Sequence, residues 1–354
     1  MDQPTRLFID TSKNAFQLHG VNQAEEVVLR RQLSRSKMLE FFGKLPATVI
    51  ALEACGGSHH WARVLSGLGH EVKLIAPQLV KPYVKRGKND ANDAAAGCEA
   101  MSRPTMRFVP VKTVEQQAAL MLAGVREAVV NERTQLSNMI RGYAAEFGVV
   151  APKGLCEIRP ILQKIAEDLS HPALMRELFA GLAEQYEQIE ARFKAIDAKL
   201  LAWHKASPLS RALTKIPGVG PIVASLLVMK TPDPKAFKSG RQYAAWVGLT
   251  PKDHSTAGKA RQGVITRAGD EALRSVLVVG VTSVVKLAMH GHGAGASDWL
   301  VELLKRKPPK LAAVALANKI ARVAWSMMAT GELYDPERQA GATAAQVAAA
   351  LAAA

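Results

Sequence analysis

The sequence is short of cysteine, of acidic charge and of long apolar runs, and each shortage removes a class of protein. Its 354 residues include 3 cysteines. Cys55, Cys98 and Cys156 are odd in number and widely spaced, so they make neither a disulfide framework nor a CxxC zinc knuckle. A reduced, cytoplasmic protein is expected. No stretch approaches the roughly 18 uninterrupted apolar residues of a membrane span, and MDQPTRLFID has no basic segment leading into an apolar run. Neither secretion nor membrane insertion is expected. Asp and Glu number 31 against 46 Lys and Arg, which leaves a net charge of +15.

What is present is core material. Hydrophobic residues make up 48% and charged residues 22%, a balance that excludes a disordered chain, and the length suits two or three domains. The charge is uneven along the chain: residues 1–110 carry an excess of +5, residues 111–205 none, and residues 206–354 an excess of +10. A basic excess gathered toward one end predicts a polyanionic partner, with nucleic acid favoured over a membrane surface. The same shifts divide the chain into 1–110, 111–205, 206–335 and an Ala-rich tail, 336–354.

The first part alternates period-two and helical patterns. Arg6–Thr11, Ala15–His19 and Glu26–Arg31 read as a meander, followed by a helix at Ser34–Phe42, a buried strand at Thr48–Glu53, a helix at His60–Leu68, a strand at Val72–Ile75 and a helix at Asn89–Met101. That order predicts an α/β domain with the mixed sheet of the RNase H and RuvC-like layout, followed by all-α parts. From Val114 to about His204 the pattern is helical with a break near Pro152–Pro160. Leu178, Leu182, Tyr186, Ile189, Phe193, Ile196 and Leu200 recur near a 3.5 spacing, which fits a coiled-coil-like arm or dimer contact and equally a helical hairpin.

Four carboxylates are placed to meet. Asp10 ends the first strand and Glu53 the fourth, and these strands are neighbours in an RNase H-like sheet; Asp90 and Asp93 lie three apart at a helix start and share a face. Carboxylates this close repel one another unless a cation lies between them, and hard oxygen donors suit Mg²⁺ or Mn²⁺. Taken singly, Asp90 and Asp93 also read as helix caps and Asp10 as a turn residue; the joint placement favours metal. His59 and His60 read as phosphate or packing contacts, and Cys55 as packing.

The basic part carries two further signals. Ile216-Pro217-Gly218-Val219-Gly220-Pro221, before the apolar IVASLL, has the form of a helix-hairpin-helix turn, in which Gly218 and Gly220 let the backbone approach a phosphate. A plain turn between helices has a similar sequence. The polar loop Asp253–Gly263 holds His254, Ser255, Thr256, Lys259 and Arg261 before a helix that starts near Asp270. A hydroxyl among cations can attack a phosphodiester if it is activated; on chemistry alone a turn serine is the plainer reading.

FIDTSK, LEACGG, KNDANDA, IPGVGP, YAAWVGLTP, HSTAGK and ITRAGDEALR, in this order over about residues 6–330, resemble the DEDD-type insertion-sequence transposases, the bridge-RNA-guided recombinases related to the Piv invertase. The resemblance implies a RuvC-like domain holding Mg²⁺ on Asp10, Glu53, Asp90 and Asp93, and a C-terminal transposase domain whose serine, here Ser255, attacks DNA covalently. It implies Lys259, Arg261 and Arg267 as phosphate clamps, a structured guide RNA, donor and target DNA, and a dimer or tetramer. Two other readings remain at this point: a metal-dependent nuclease or Holliday-junction resolvase that uses water, and a non-catalytic nucleic-acid scaffold.

Overall fold

The computed structural model describes residues 3–13, 15–84, 90–256, 258–259, 261–290 and 297–336. The Ala-rich run beyond residue 336 lies outside the described residues. Chain contacts gather into two compact units, residues 1–117 and 118–354.

The first unit is built on a six-stranded mixed sheet of order β3-β2-β1-β4-β5-β6. Its strands are β1 (Arg6–Thr11), β2 (Ala15–Val21), β3 (Val27–Ser34), β4 (Val49–Glu53), β5 (Glu71–Ile75) and the short edge strand β6 (Phe108–Val109). β1, β2 and β3 form the expected antiparallel meander, β1 pairs parallel with β4 and β4 parallel with β5. These directions are consistent with the RNase H-like layout. The pattern reading contained no β6, because two residues are too few to show a period.

Alternation along β1 explains the layers. Leu7 and Ile9 enter a core with Ile50 and Leu52 of β4, covered by α1 (Met38–Lys44) and α2 (Ser58–Gly67) through Met38, Phe42, Trp61 and Leu65. Phe8 and Ala51 enter the opposite core, which α3 (Pro77–Val80) and α4 (Asp90–Met101) close with Val80, Ala94, Ala96, Cys98 and Met101. The central strands are thus buried on both faces, as their near-continuous apolar runs require.

The second unit is helical. α5 (Val114–Glu146) and α7 (Ala173–Ala206) run antiparallel, with α6 (Ile158–Glu167) packed at one end. The predicted seam is used within the chain. Tyr186 is buried against α5 and α6 with Leu182 and Ile189 beside it, and Leu200 enters the C-terminal core. Leu178 is 60% exposed while Phe179 is buried, so the seam begins one residue later than the 3.5 spacing placed it. Within this chain the segment packs as a helical hairpin.

Polar rungs fasten this hairpin. Arg126 Nε donates to Asp197 Oδ1 at 2.6 Å, Arg192 pairs with Glu132 at 3.0 Å, and Arg133 forks onto both oxygens of the buried Glu190 while lying over the Phe193 ring at 4.6 Å. Removing one partner of a buried pair strands the other charge. Arg133→Ala is expected to destabilise the second unit by about 3 kcal/mol, read as a lower denaturant midpoint at unchanged slope; a change below about 0.5 kcal/mol would show that solvent already screens the pair.

The C-terminal part holds α8 (Pro208–Leu213), α9 (Pro221–Lys230), α10 (Gly240–Val247), the hairpin of β7 (Pro251–Asp253) and β8 (Gln262–Ile265), then α11 (Glu271–Met289), α12 (Asp298–Arg306) and α13 (Pro309–Thr330). α11 is long and apolar enough to cross a membrane by length and composition, with a mean hydropathy of 1.7. It contributes to this core: Leu273, Leu277, Val281, Val284 and Val285 are buried against α9 and α13, while Ser275, Val279, Ser283, Lys286, Leu287 and Met289 face outward. Its N-terminus is fixed by Asp270, which accepts from Leu273 N at 2.8 Å and from Lys230 Nζ at 2.8 Å.

Candidate functional site

The acidic site follows from strand register. Ile9 pairs with Leu52 across the parallel β1 and β4, so Asp10 and Glu53 come next at the same level of the sheet. By alternation they share the face of Phe8 and Ala51, the face that α4 covers. Asp90 and Asp93 stand in the first turn of α4. One carboxylate oxygen from each of Asp10, Asp90 and Asp93 lies within 4.8 Å of the others. Glu53 is outside that triplet but near enough for its charge to act on Asp10.

The electrostatics show the cost of this arrangement. Burial first, then the charges of Glu53, Asp90 and Asp93, push the Asp10 carboxyl up to about 6. Burial and the charge of Asp93 raise Glu53. A divalent cation fits this donor set, because three hard oxygens converge at short range and their mutual repulsion is what its charge would relieve.

α4 can lie close enough to deliver its aspartates only because of Gly97. A Cβ at this position would stand 2.3 Å from Phe8 Cζ, so the helix rests on the Phe8 ring through its bare backbone. Sequence reasoning missed Gly97; its only trace there is the small-residue run Ala94-Ala95-Ala96-Gly97, which marks a close-packed helix face.

The two histidines divide. His59 Nδ1 accepts from the Lys112 backbone N–H at 3.2 Å, and burial followed by the charges of Lys112 and Arg63 pushes the ring down to about 4. Its Nε2 lies 2.9 Å from Lys112 Nζ, so both ring nitrogens face Lys112 and the ring is packed against that residue. His60 packs edge-on against Trp61. Cys55 departs from its expected packing role: it is exposed on the turn after β4, with Sγ 2.9 Å from Thr11 Oγ1.

In the second unit, Ser255 sits on the exposed connection between β7 and β8. Its N–H donates to Asp253 Oδ1 at 2.8 Å, and its Oγ accepts from the Arg261 N–H at 3.0 Å. A neighbouring bond, His254 N to Arg261 O at 2.8 Å, closes the same loop. Hydrogen bonds from Ser255 hold the Asp253 carboxyl below the usual carboxylate range. Ser255 is thus fixed in place yet open to solvent, on a loop that also carries the exposed Lys259 and Arg261.

The base of this hairpin is held rigidly. Gly248 has φ +81°, Arg267 has φ +55°, and a Cβ on Gly269 would stand 1.9 Å from Trp246 O. The buried Arg274 donates to Val247 O at 3.1 Å and to Gly269 O at 3.3 Å, joining the segment to α10 and α11. Arg267 itself is exposed. Arg274 was not singled out from sequence, where it is one more arginine in a basic stretch.

The IPGVGP segment forms the turn between α8 and α9. Gly218, at φ +85°, is committed to packing: its oxygen lies 2.5 Å from where a Cβ on Gly280 of α11 would be. Gly220 caps α9, and a Cβ there would meet nothing within 4 Å. Of the two glycines, Gly220 is the one open to a close approach by a ligand.

A mixed sheet with carboxylates gathered at the end of β1 and the start of α4, Glu53 of β4 beside them, followed by a basic helical unit, is the arrangement expected of a metal-dependent nucleic-acid enzyme. Comparison with known proteins makes this specific. The DEDD transposase model of the IS110 type matches residues 9–147, and the model described as "Transposase IS116/IS110/IS902 family" matches residues 210–292. A putative transposase, y4pF/y4sB, of Sinorhizobium fredii is 63% identical over 94% of this chain and 86% of its own length. The transposases for insertion sequence elements IS1328 of Yersinia enterocolitica and IS1111A of Coxiella burnetii are each 36% identical, over 94% and 93% of this chain and 99% and 90% of their own lengths. The chain belongs to the IS110/IS116 family of DEDD insertion-sequence transposases. The family implies DNA binding, DNA cleavage and rejoining, and a divalent metal ion.

Proposed function

We propose that this transposase cuts and rejoins DNA through a phosphoserine intermediate on Ser255 and that a structured guide RNA selects donor and target. The observation that carries the proposal is the pairing, in one chain, of a carboxylate triplet within 4.8 Å and a serine pinned on an exposed basic hairpin. A divalent ion at Asp10, Asp90 and Asp93, with Glu53 beside them, would polarise the scissile phosphate; Mg²⁺ is the assigned ion and Mn²⁺ the substitute.

The chain's own residues do the rest. The Arg261 N–H aimed at Ser255 Oγ favours negative charge there, and the Asp253 contact holds the residue's backbone still. Oγ bonds to phosphorus as a strand P–O bond breaks, its proton going to the leaving strand oxygen; attack by the incoming strand's hydroxyl reverses the exchange, returns a proton to Oγ and frees the serine, so the bond energy is kept. Lys259, Arg261 and Arg267 offset phosphate charge, and the turn at Gly218 and Gly220 adds a backbone contact.

In this reading residues 1–110 hold the metal, 111–205 form an arm, and 206–335 form the transposase domain. Rejoining two strands needs more than one active site, so a dimer or tetramer acts in the cytoplasm.

The test is to trap the adduct. Wild type with Mg²⁺ and donor DNA is expected to give a denaturation-resistant protein–DNA species, absent in Ser255→Ala, with recombination lowered by at least about 1000-fold. Cleavage by Ser255→Ala at the wild-type rate would indicate water as the nucleophile, and recombination that persists in Asp93→Asn would indicate a scaffold. Sequencing the RNA that copurifies tests guidance; no discrete species would defeat that part.

A further inference from the structure

Beside the α8–α9 turn is a cavity of about 890 Å³, at the upper end of the size range of ligand sites. Its floor is apolar, from Ile216, Leu300, Leu316 and Ile320, all buried. Tyr334, after the last helix, gives an aromatic wall. The mouth is cationic, with Arg211, Lys215 and Lys319 against one acidic group, Asp298. Among the described residues no ion pair joins these three cations to a carboxylate. Lys319 sits 5.0 Å over the Trp299 ring, and burial, then Arg322, holds it below the usual lysine range.

An apolar floor beneath unpaired cations suits a ligand that is flat and apolar at one end and anionic at the other. A nucleotide unit of a DNA strand has that form. Ile216 and Pro217 belong both to this cavity and to the glycine turn, so the turn and the cavity border a common path. We propose that the cavity takes one unstacked base of the bound DNA, with Arg211 and Lys215 on the flanking phosphates and Tyr334 against the base. This rests on the family's DNA-binding role and adds a single-base site remote in sequence from Ser255. Stacking a base on an aromatic side chain is worth several-fold to a hundredfold in affinity.

The test uses the full chain and two fluorescein-labelled probes of equal charge, a 20-mer of thymidylate and a 20-mer of abasic deoxyribose phosphate. Wild type is expected to bind the thymidylate strand about tenfold more tightly. Val323→Trp, which fills the cavity from its α13 wall, and Tyr334→Ala, which removes the aromatic ring that follows α13, are each expected to cut this ratio to below about 2. Either variant alone sustains the test if the other fails to fold.

A ratio that stays at its wild-type value in both variants, or equal binding of the two probes by wild type, overturns the base site while leaving DNA binding intact. Failure of wild type to bind either strand overturns DNA binding itself and the base site with it. Tighter binding of a uridylate RNA 20-mer with the same dependence on Val323 and Tyr334 would overturn DNA as the occupant.

Discussion

Asp10→Asn is expected to abolish strand cleavage while raising the melting temperature of the metal-free protein. The loss of activity follows from replacing a charged carboxylate of the acidic triplet by a neutral amide, a far weaker ligand for a divalent cation, and at least a hundredfold is expected. The gain in stability follows from the shift at Asp10. Its folded-state pKa, about 6, lies above the ordinary carboxylate value near 4, so the fold disfavours the ionised form.

The sign is fixed by that direction. Below pH 4 the group is protonated in both states and has no effect; stability falls as pH rises through 4 to 6, and the full penalty persists above. Asp10 is only partly buried, and with solvent screening the penalty is on the order of 1 kcal/mol, or about 2–4 °C. In EDTA, the variant should therefore melt above wild type at pH 7, with the gap closing by pH 4. Adding Mg²⁺ should raise the wild-type midpoint and leave the variant's nearly unchanged. A variant that melts below wild type at pH 7 in EDTA would show that these carboxylates do not strain the fold.

The second large effect is expected from Gly97→Ala. On an exposed helix this change stabilises by up to about 1 kcal/mol. Here the new methyl would lie 2.3 Å from Phe8, whereas carbons in contact stay about 3.5–4.0 Å apart, so α4 must retreat by about 1 Å. Overpacking of this kind costs about 1–3 kcal/mol. The functional cost is larger, because Asp90 and Asp93 ride on the same helix, and a misplacement of about 1 Å can cost roughly a hundredfold in rate.

Phe8→Leu in the same chain should restore part of both losses by making room. Gly142→Ala, where nothing lies within 4 Å, should be neutral or mildly stabilising. Measuring cleavage rate and Mg²⁺-dependent melting for the four proteins checks the argument. A Gly97→Ala protein with wild-type cleavage would show that α4 does not need its close seat on the sheet.

These two positions mark what was legible in the sequence. Asp10 could be found because strand alternation and the β-β-β-α-β order are local signals, and the parallel pairing of β1 with β4 then sets it level with Glu53. Gly97 could not, because its role is a distance to Phe8, 89 residues away in the chain, and no period records it. Arg274 was hidden for the same reason: its value lies in the Val247 and Gly269 carbonyls it reaches once the hairpin is folded.

The arm makes the point from the other direction. A 3.5 spacing states that a stripe will be buried but not against what, and only the packed chain shows α5 and α6 filling that place, with Phe179 inward and Leu178 outward. By itself the sequence determined the order of most elements, the candidate carboxylates and serine, and the basic bias of the C-terminal part, since each is written in neighbouring residues. The tertiary structure alone decided which carboxylates come within 4.8 Å, that Gly218 packs while Gly220 stays open, and that Ser255 is pinned between Asp253 and Arg261. Those are distances between parts of the chain that meet only when burial of the cores brings them together.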